Sequence, residues 1–182
     1  EGRGGGKRVS AASATGPVTE ADIPQALDAM RAIGQGQLFM LRPDDTALDQ
    51  MLETQGYEVI DPVHVYSGDP AMIGAGEIPR VTTFESETPL AIMQEIWAEG
   101  GIGPDRLAVM ARAQGPKTYL LGRTNDRAAG VAYVAMHVGV AMLHALEVLE
   151  KFRGNGLGRH LMRAAGRWAA AQGARELTLL VT

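Results

Sequence analysis

The residues best suited to chemistry fall in one stretch, HALEVLEKFRGNGLG, from His144 to Gly158. Its second half, Arg153-Gly154-Asn155-Gly156-Leu157-Gly158, alternates glycine with other residues. Glycine lacks the Cβ that would hold a backbone away from a ligand, and it tolerates the positive φ of an anion nest. A long amphipathic segment follows at once, so a helix starting near Leu157 adds its unpaired first-turn N–H groups and the positive end of its dipole. The chemistry implied is the binding of a pyrophosphate. Upstream, His144 brings the one side-chain type that exchanges protons readily around neutral pH.

Spacing decides which pyrophosphate. The hexapeptide lacks the Lys-Ser/Thr of a Walker loop, and a dinucleotide fingerprint begun at Gly154 would need its third glycine where Arg159 stands. A strand-to-helix turn with no ligand remains the plain alternative, although such a turn rarely needs alternate glycines without an Asp or Asn cap. The hexapeptide resembles the Arg/Gln-x-x-Gly-x-Gly/Ala loop of the Gcn5-related N-acetyltransferases (GNAT). The apolar strand ending at Val148, the Phe152-Arg153 pair, the Ala-rich helix and the apolar run Leu177 to Val181 extend the likeness.

That resemblance implies acetyl-coenzyme A as cosubstrate and no metal. It implies that the backbone of Leu146, Glu147 and Val148 pairs with the pantetheine arm and polarises the thioester carbonyl. Arg153, Gly154, Asn155, Gly156, Leu157 and Gly158 would then surround the pyrophosphate, with Arg159 in reach of a phosphate. Glu147 points away from Leu146 and Val148 on a regular strand, and a bulge would redirect it. The string around His144 is also similar to that of serotonin N-acetyltransferase, which implies a catalytic His144. Met142 stands where the partner histidine would be, so the relay is incomplete, and a strand histidine without a catalytic part is the alternative. His137 is a second candidate for the same cleft, whereas His64 and His160 read as surface residues. In the family the thiolate's proton donor is a tyrosine on the helix after this last strand, which falls beyond Thr182.

These residues need a scaffold. Met142 to Val148 alternates as a strand, Leu157 to Gln172 reads as a helix, and Lys117 to Arg123 with Ala129 to Val138 reads as a hairpin. Arg159, Arg163 and Arg167 form a basic ridge on that helix, either solvated or turned to phosphate. A strand at Arg80 to Glu85 and helices at Pro89 to Glu99 and Pro104 to Gln114 precede the hairpin. In the family the segment holding these helices covers the acceptor, a role that the glycine-rich Gly100 to Gly103 fits, as it fits plain turn chemistry. The fold class expected is α/β (α+β), a mixed, mainly antiparallel twisted sheet flanked by helices.

Earlier in the chain, Val9 to Ala14 reads as a short strand after a glycine-rich basic opening, and Thr19 caps a helix with Ile23, Leu27, Met30 and Ile33 on its buried stripe. A strand at Gln37 to Leu41, a helix with Leu48, Met51 and Leu52, and a strand from Tyr57 to Tyr66 follow. The string LDQMLETQGYEVIDPVHVYSG resembles the closing helix and strands of an acetyltransferase domain, which implies that residues 1–70 are a degenerate half of the same fold, without a glycine loop and without coenzyme. Residues 71–79 read as a linker, and 80–182 as the acetyl-coenzyme A-binding core. The first residue is not Met and Thr182 ends inside a strand, which suggests a piece of a longer chain.

Composition sets the remaining bounds. The 182 residues carry a net charge of −4, so no nucleic acid or anionic membrane partner is expected. Without cysteine there is neither a disulfide framework nor a cysteine zinc site. No apolar run approaches the roughly 20 residues of a membrane span, and the polar start is not a secretory signal. The expectation is a cytoplasmic N-acetyltransferase whose partner is a primary amine acceptor, with a homodimer left open. The alternative is a non-catalytic acyl-coenzyme A sensor or partner module.

Overall fold

The computed structural model describes residues 5–182, so the first four residues of the glycine-rich opening lie outside the described part. The chain divides into two compact units, one running to Pro62 and including Pro104–Val109, the other made of Val63–Gly103 and Met110–Thr182.

The first unit contains α1 (Lys7–Ser10), β1 (Ala12–Ser13), α2 (Asp22–Ala32), β2 (Phe39–Met40) and α3 (Thr46–Thr54). The strand expected at Val9 to Ala14 is thus only two residues long, with a helical turn before it. β1 and β2 pair in parallel, Ala12 opposite Phe39. Ile23, Leu48 and Leu52 form the core under them, and Phe39 meets Tyr57 edge-on at 5.4 Å between ring centroids. Ile33, expected on the buried stripe of α2, lies beyond its last turn and is half exposed.

The second unit holds β3 (His64–Gly68), α4 (Pro70–Gly74), β4 (Thr83–Ser86), α5 (Ala91–Glu99) and the last turn of α6 (Pro104–Arg112). These are followed by β5 (Lys117–Thr124), β6 (Arg127–His137), β7 (Val140–Val148), α7 (Leu157–Ala171) and β8 (Glu176–Val181). One six-stranded sheet runs β3-β8-β7-β6-β5-β4, antiparallel except for the β7–β8 pair, as the sequence led us to expect. The β5–β6 turn places Asn125 and Asp126 at positive φ, which a two-residue hairpin of this twist requires. Leu157, Leu161, Ala165 and Trp168 of α7 pack on Leu120, Ala132 and Val134. On the opposite face, Trp97 of α5 meets Tyr119, which meets Tyr133. Among the described residues, no helix is long and apolar enough to cross a membrane.

The boundary between the units differs from the expected one. The strand read from Tyr57 begins only at His64, because Asp61 takes a φ of 56° ahead of Pro62 and breaks the extended run. That strand pairs antiparallel with β8, Tyr66 opposite Leu179, so it belongs to the second unit's sheet. Nor is 71–79 a free linker throughout. Asp69 caps α4 by accepting from the Ala71 N–H at 2.7 Å with Pro70 at the first helical position. A Cβ on Gly166 would lie 2.5 Å from the Gly74 nitrogen, so the two glycines let α4 and α7 touch backbone to backbone. The arginine ridge serves this contact. Arg163 donates to the Glu77 carbonyl at 2.8 Å, and Arg167 to those of Gly74 and Gly76 at 3.1 and 2.6 Å. Of these carbonyls, that of Gly74 closes α4 and the other two belong to the segment just after it. Two of the three ridge residues therefore hold structure and do not simply face solvent.

Candidate active site

The site begins where two strands part. β7 and β8 pair only from Val140 to Met142 and from Glu176 to Thr178. The buried Thr178 hydroxyl donates to the Ala141 carbonyl at 3.1 Å and pins the last rung. Beyond it, β7 stays with β6 and β8 stays with β3, which leaves a slot between two backbone edges. Such edges can pair with the amides of an extended ligand as with another strand.

β7 is also bulged. Val131 faces Glu147 but Tyr133 faces His144, so β7 carries one more residue than β6 across this step, and Ala145 takes a φ of 49°. His144 and Glu147, three apart, would lie on opposite faces of a regular strand; the bulge turns both toward α5. The His144 ring sits 6.1 Å from that of Tyr133, and a Cβ on Gly100 would meet the Glu147 carboxylate at 2.8 Å. Leu146 and Val148 turn the other way and pack with the α7 cluster. Glu147 therefore does point away from Leu146 and Val148, as a locally regular strand requires. Tyr133 donates to the Met110 carbonyl at 2.9 Å, and burial, then the neighbouring Tyr119, push its phenol up to about 12. Burial raises Tyr119 as well. Both phenols therefore stay neutral at ordinary pH.

The loop closes the site. After a 3-10 turn at Glu150–Phe152, Gly154 and Gly156 adopt φ of 80° and 79°, and Gly156 is the N-cap of α7. Among the described residues no side chain caps this helix, and no acidic residue stands in its first turn. A Cβ on Gly154 would meet nothing within 4 Å, and Gly158 sits beside Leu146. Leu157 anchors the loop: hypothetical Cβ atoms on Gly122 and Gly130 would meet its methyls at 3.0 and 3.1 Å, so those glycines shape its socket. Asn155 donates to the Phe152 and Arg153 carbonyls, both at 3.3 Å. Arg153 folds back on the strand, its Nε donating to the Val148 carbonyl and its Nη2 to Glu147 Oε1, each at 2.8 Å. Arg159 is exposed in the first turn. An open glycine loop, bare helix N–H groups and the exposed Arg159 fit a pyrophosphate, whereas Arg153 is turned onto Val148 and Glu147.

The profile of the Acetyltransferase (GNAT) family matches residues 85–182, just over half of the sequence. The chain belongs to this family. The GNAT fold extends to solved structures of low identity. A conserved protein of unknown function from Staphylococcus epidermidis is 14% identical at a TM-score of 0.65, over 93% of this chain and 73% of that one. A GCN5-related N-acetyltransferase from Kribbella flavida is 17% identical at 0.59, over 93% and 70%. Another from Sphaerobacter thermophilus is 13% identical at 0.57, over 87% and 57%. No curated protein matches the chain.

Within this GNAT chain the structure brings His144 and Glu147 to one face and gathers Arg153 to Arg159 at the mouth of the slot. His137 is not part of that group. It is exposed and pairs with Val140 at the hairpin end of β6, four residues along the strand from Tyr133. His160, read as a surface residue, is half buried, and its Nδ1 has no hydrogen-bond partner among the described residues. Sequence reasoning did not single out Trp97, whose indole N–H donates to the Ala145 carbonyl at 2.7 Å. A tryptophan inside an apolar helix gives no local sign of such a bond.

Proposed function

We propose that the chain transfers an acetyl group from acetyl-coenzyme A to a primary amine of a small molecule or protein. The observation that carries this reading is the slot between β7 and β8 opening directly onto the bare N-terminus of α7. One ligand with a pyrophosphate at one end and an amide-bearing arm at the other spans both features. Bound there, acetyl-coenzyme A supplies an activated acyl thioester. The N–H groups at Gly154 to Gly158 hold its phosphates, the edge of β7 from Leu146 to Val148 orients its amides, and the backbone beside the bulge is placed to polarise a carbonyl. His144 takes the proton from the incoming ammonium, since a histidine exchanges protons in the pH range where amines must be deprotonated to attack. Arg153 pairs with the Glu147 carboxylate at 2.8 Å and holds it on the face that carries His144.

Calorimetry with acetyl-coenzyme A and release of free thiol against a panel of amines test the proposal. Saturable binding with amine-dependent thiol release is the expected result. Binding without release under any amine would replace the transferase with an acyl-coenzyme A sensor, and absence of binding would remove both readings.

A further inference from the structure

We infer that Trp97 is a positioning residue for the coenzyme-binding strand: its indole N–H fixes the β7 bulge that sets His144 and Glu147 on one face. The inference rests on the acetyl-transfer reading and adds to it a residue from α5 that lies outside the slot and its loop.

Three features of the structure converge on it. Ala145 stands at a positive φ that a residue with a Cβ rarely adopts, so something must hold it there. Its carbonyl accepts from Trp97 Nε1 at 2.7 Å, and Trp97 is completely buried, so water cannot replace the donor. One turn further along α5, Gly100 packs so closely on Glu147 that a Cβ would come within 2.7 Å of its side chain. The bulge and the residue two beyond it are thus both held by one helix. The indole plane is fixed in turn by Tyr119, 6.1 Å away between centroids, and Tyr119 by Tyr133 at 5.1 Å. Without the bond, the least strained course for β7 is a regular strand, which would carry Glu147 and the following backbone to the opposite face.

The test compares the parent chain with Trp97→Phe and with Trp97→3-benzothienylalanine, which keeps the indole shape and lacks the N–H. Amide hydrogen exchange without coenzyme and steady-state kinetics with acetyl-coenzyme A are measured on each. Both variants are expected to exchange about tenfold faster at residues 145–148 and to raise KM for acetyl-coenzyme A by about tenfold, the scale of one lost buried hydrogen bond. Adding Ala145→Gly to Trp97→Phe should restore KM, because glycine holds the positive φ without help, while thermal stability stays below the parent's. A packing role alone predicts no such rescue. Should Trp97→Phe fail to fold, the benzothienyl variant carries the comparison. Unchanged exchange at 145–148 would overturn the inference, as would faster exchange with an unchanged KM or a KM that Ala145→Gly does not restore. If the parent binds no acetyl-coenzyme A, the acetyl-transfer reading fails by itself, and the exchange measurement still decides whether Trp97 holds the bulge.

Discussion

Each unit contains a pair of parallel strands joined through a helix, and the two pairs treat the entry to that helix in opposite ways. In the second unit, β7 leads through an arginine-glycine loop to α7, whose N-terminus carries neither a side-chain cap nor an acid. In the first, β1 leads through Thr15-Gly16-Pro17 to α2, whose first residue is Asp22. Thr19 donates both its N–H and its hydroxyl to the Asp22 carboxylate, at 2.8 and 2.7 Å. A cleft of about 360 Å³ opens at the ends of β1 and β2, but Asp44 and Asp45 line it beside Arg42. The first helix brings its own anion. The second leaves room for one, so under the proposed function the same local topology would serve structure in one place and phosphate binding in the other.

The sharpest way to break this contrast is to give the second helix its own anion. Gly156→Asp places a carboxylate and a Cβ at a positive-φ position at the start of α7. The loss of two charge-assisted hydrogen bonds, at about 1.5–3 kcal/mol each, predicts at least a hundredfold weaker binding of acetyl-coenzyme A by calorimetry. Binding as tight as the parent's would remove the loop from the coenzyme site. His144→Ala separates holding from reacting. It should lower kcat by about 10²-fold and leave KM for acetyl-coenzyme A close to the parent's, and an unchanged kcat would make His144 an ordinary strand residue.

The bracing of the two helices also differs, because in the second unit α4 lies directly on α7. Gly166→Ala forces a Cβ into the α4 backbone, so a loss of about 1–3 kcal/mol is expected in denaturant unfolding. A neutral result would mean that α4 is not held where it touches Gly166. The smallest effect concerns the start of α2, where Asp22 is the acid of the first turn. Hydrogen bonds from Thr19, first the hydroxyl and then the N–H, lower the pKa of Asp22 below its ordinary 3.8. With a folded pKa below the unfolded one, this carboxylate stabilises the fold above the unfolded value and ceases to do so as pH falls through the folded one. Asp22→Ala should therefore melt lower than the parent at pH 7, with the gap closing below the ordinary carboxylate range. A gap that persists in acid would show that the ionised carboxylate is not what stabilises the start of α2.

The parts legible in the sequence were those that short-range physics fixes. Alternate glycines from Gly154 to Gly158 dictated a loop with positive φ, the apolar stripe from Leu157 to Trp168 dictated a helix, and strand alternation with Asn125-Asp126 dictated a hairpin. Together these gave the outline of the glycine loop and its helix, and the likeness of that stretch to the GNAT loop gave the family. Other features depend on partners distant in sequence. The Ala145 bulge is set by β6 and Trp97, so the face on which His144 and Glu147 meet could not be counted out along β7. The Arg163 and Arg167 side chains look like a solvated ridge until Gly74 to Glu77, some ninety residues earlier, arrive to accept their hydrogen bonds. His64 to Gly68 carries a strand pattern but no mark of its partner, because a strand's backbone groups pair with any compatible edge and only the folded sheet selects β8. Backbone conformation is written locally in side-chain type, whereas the partner of a buried polar group is chosen by the whole fold.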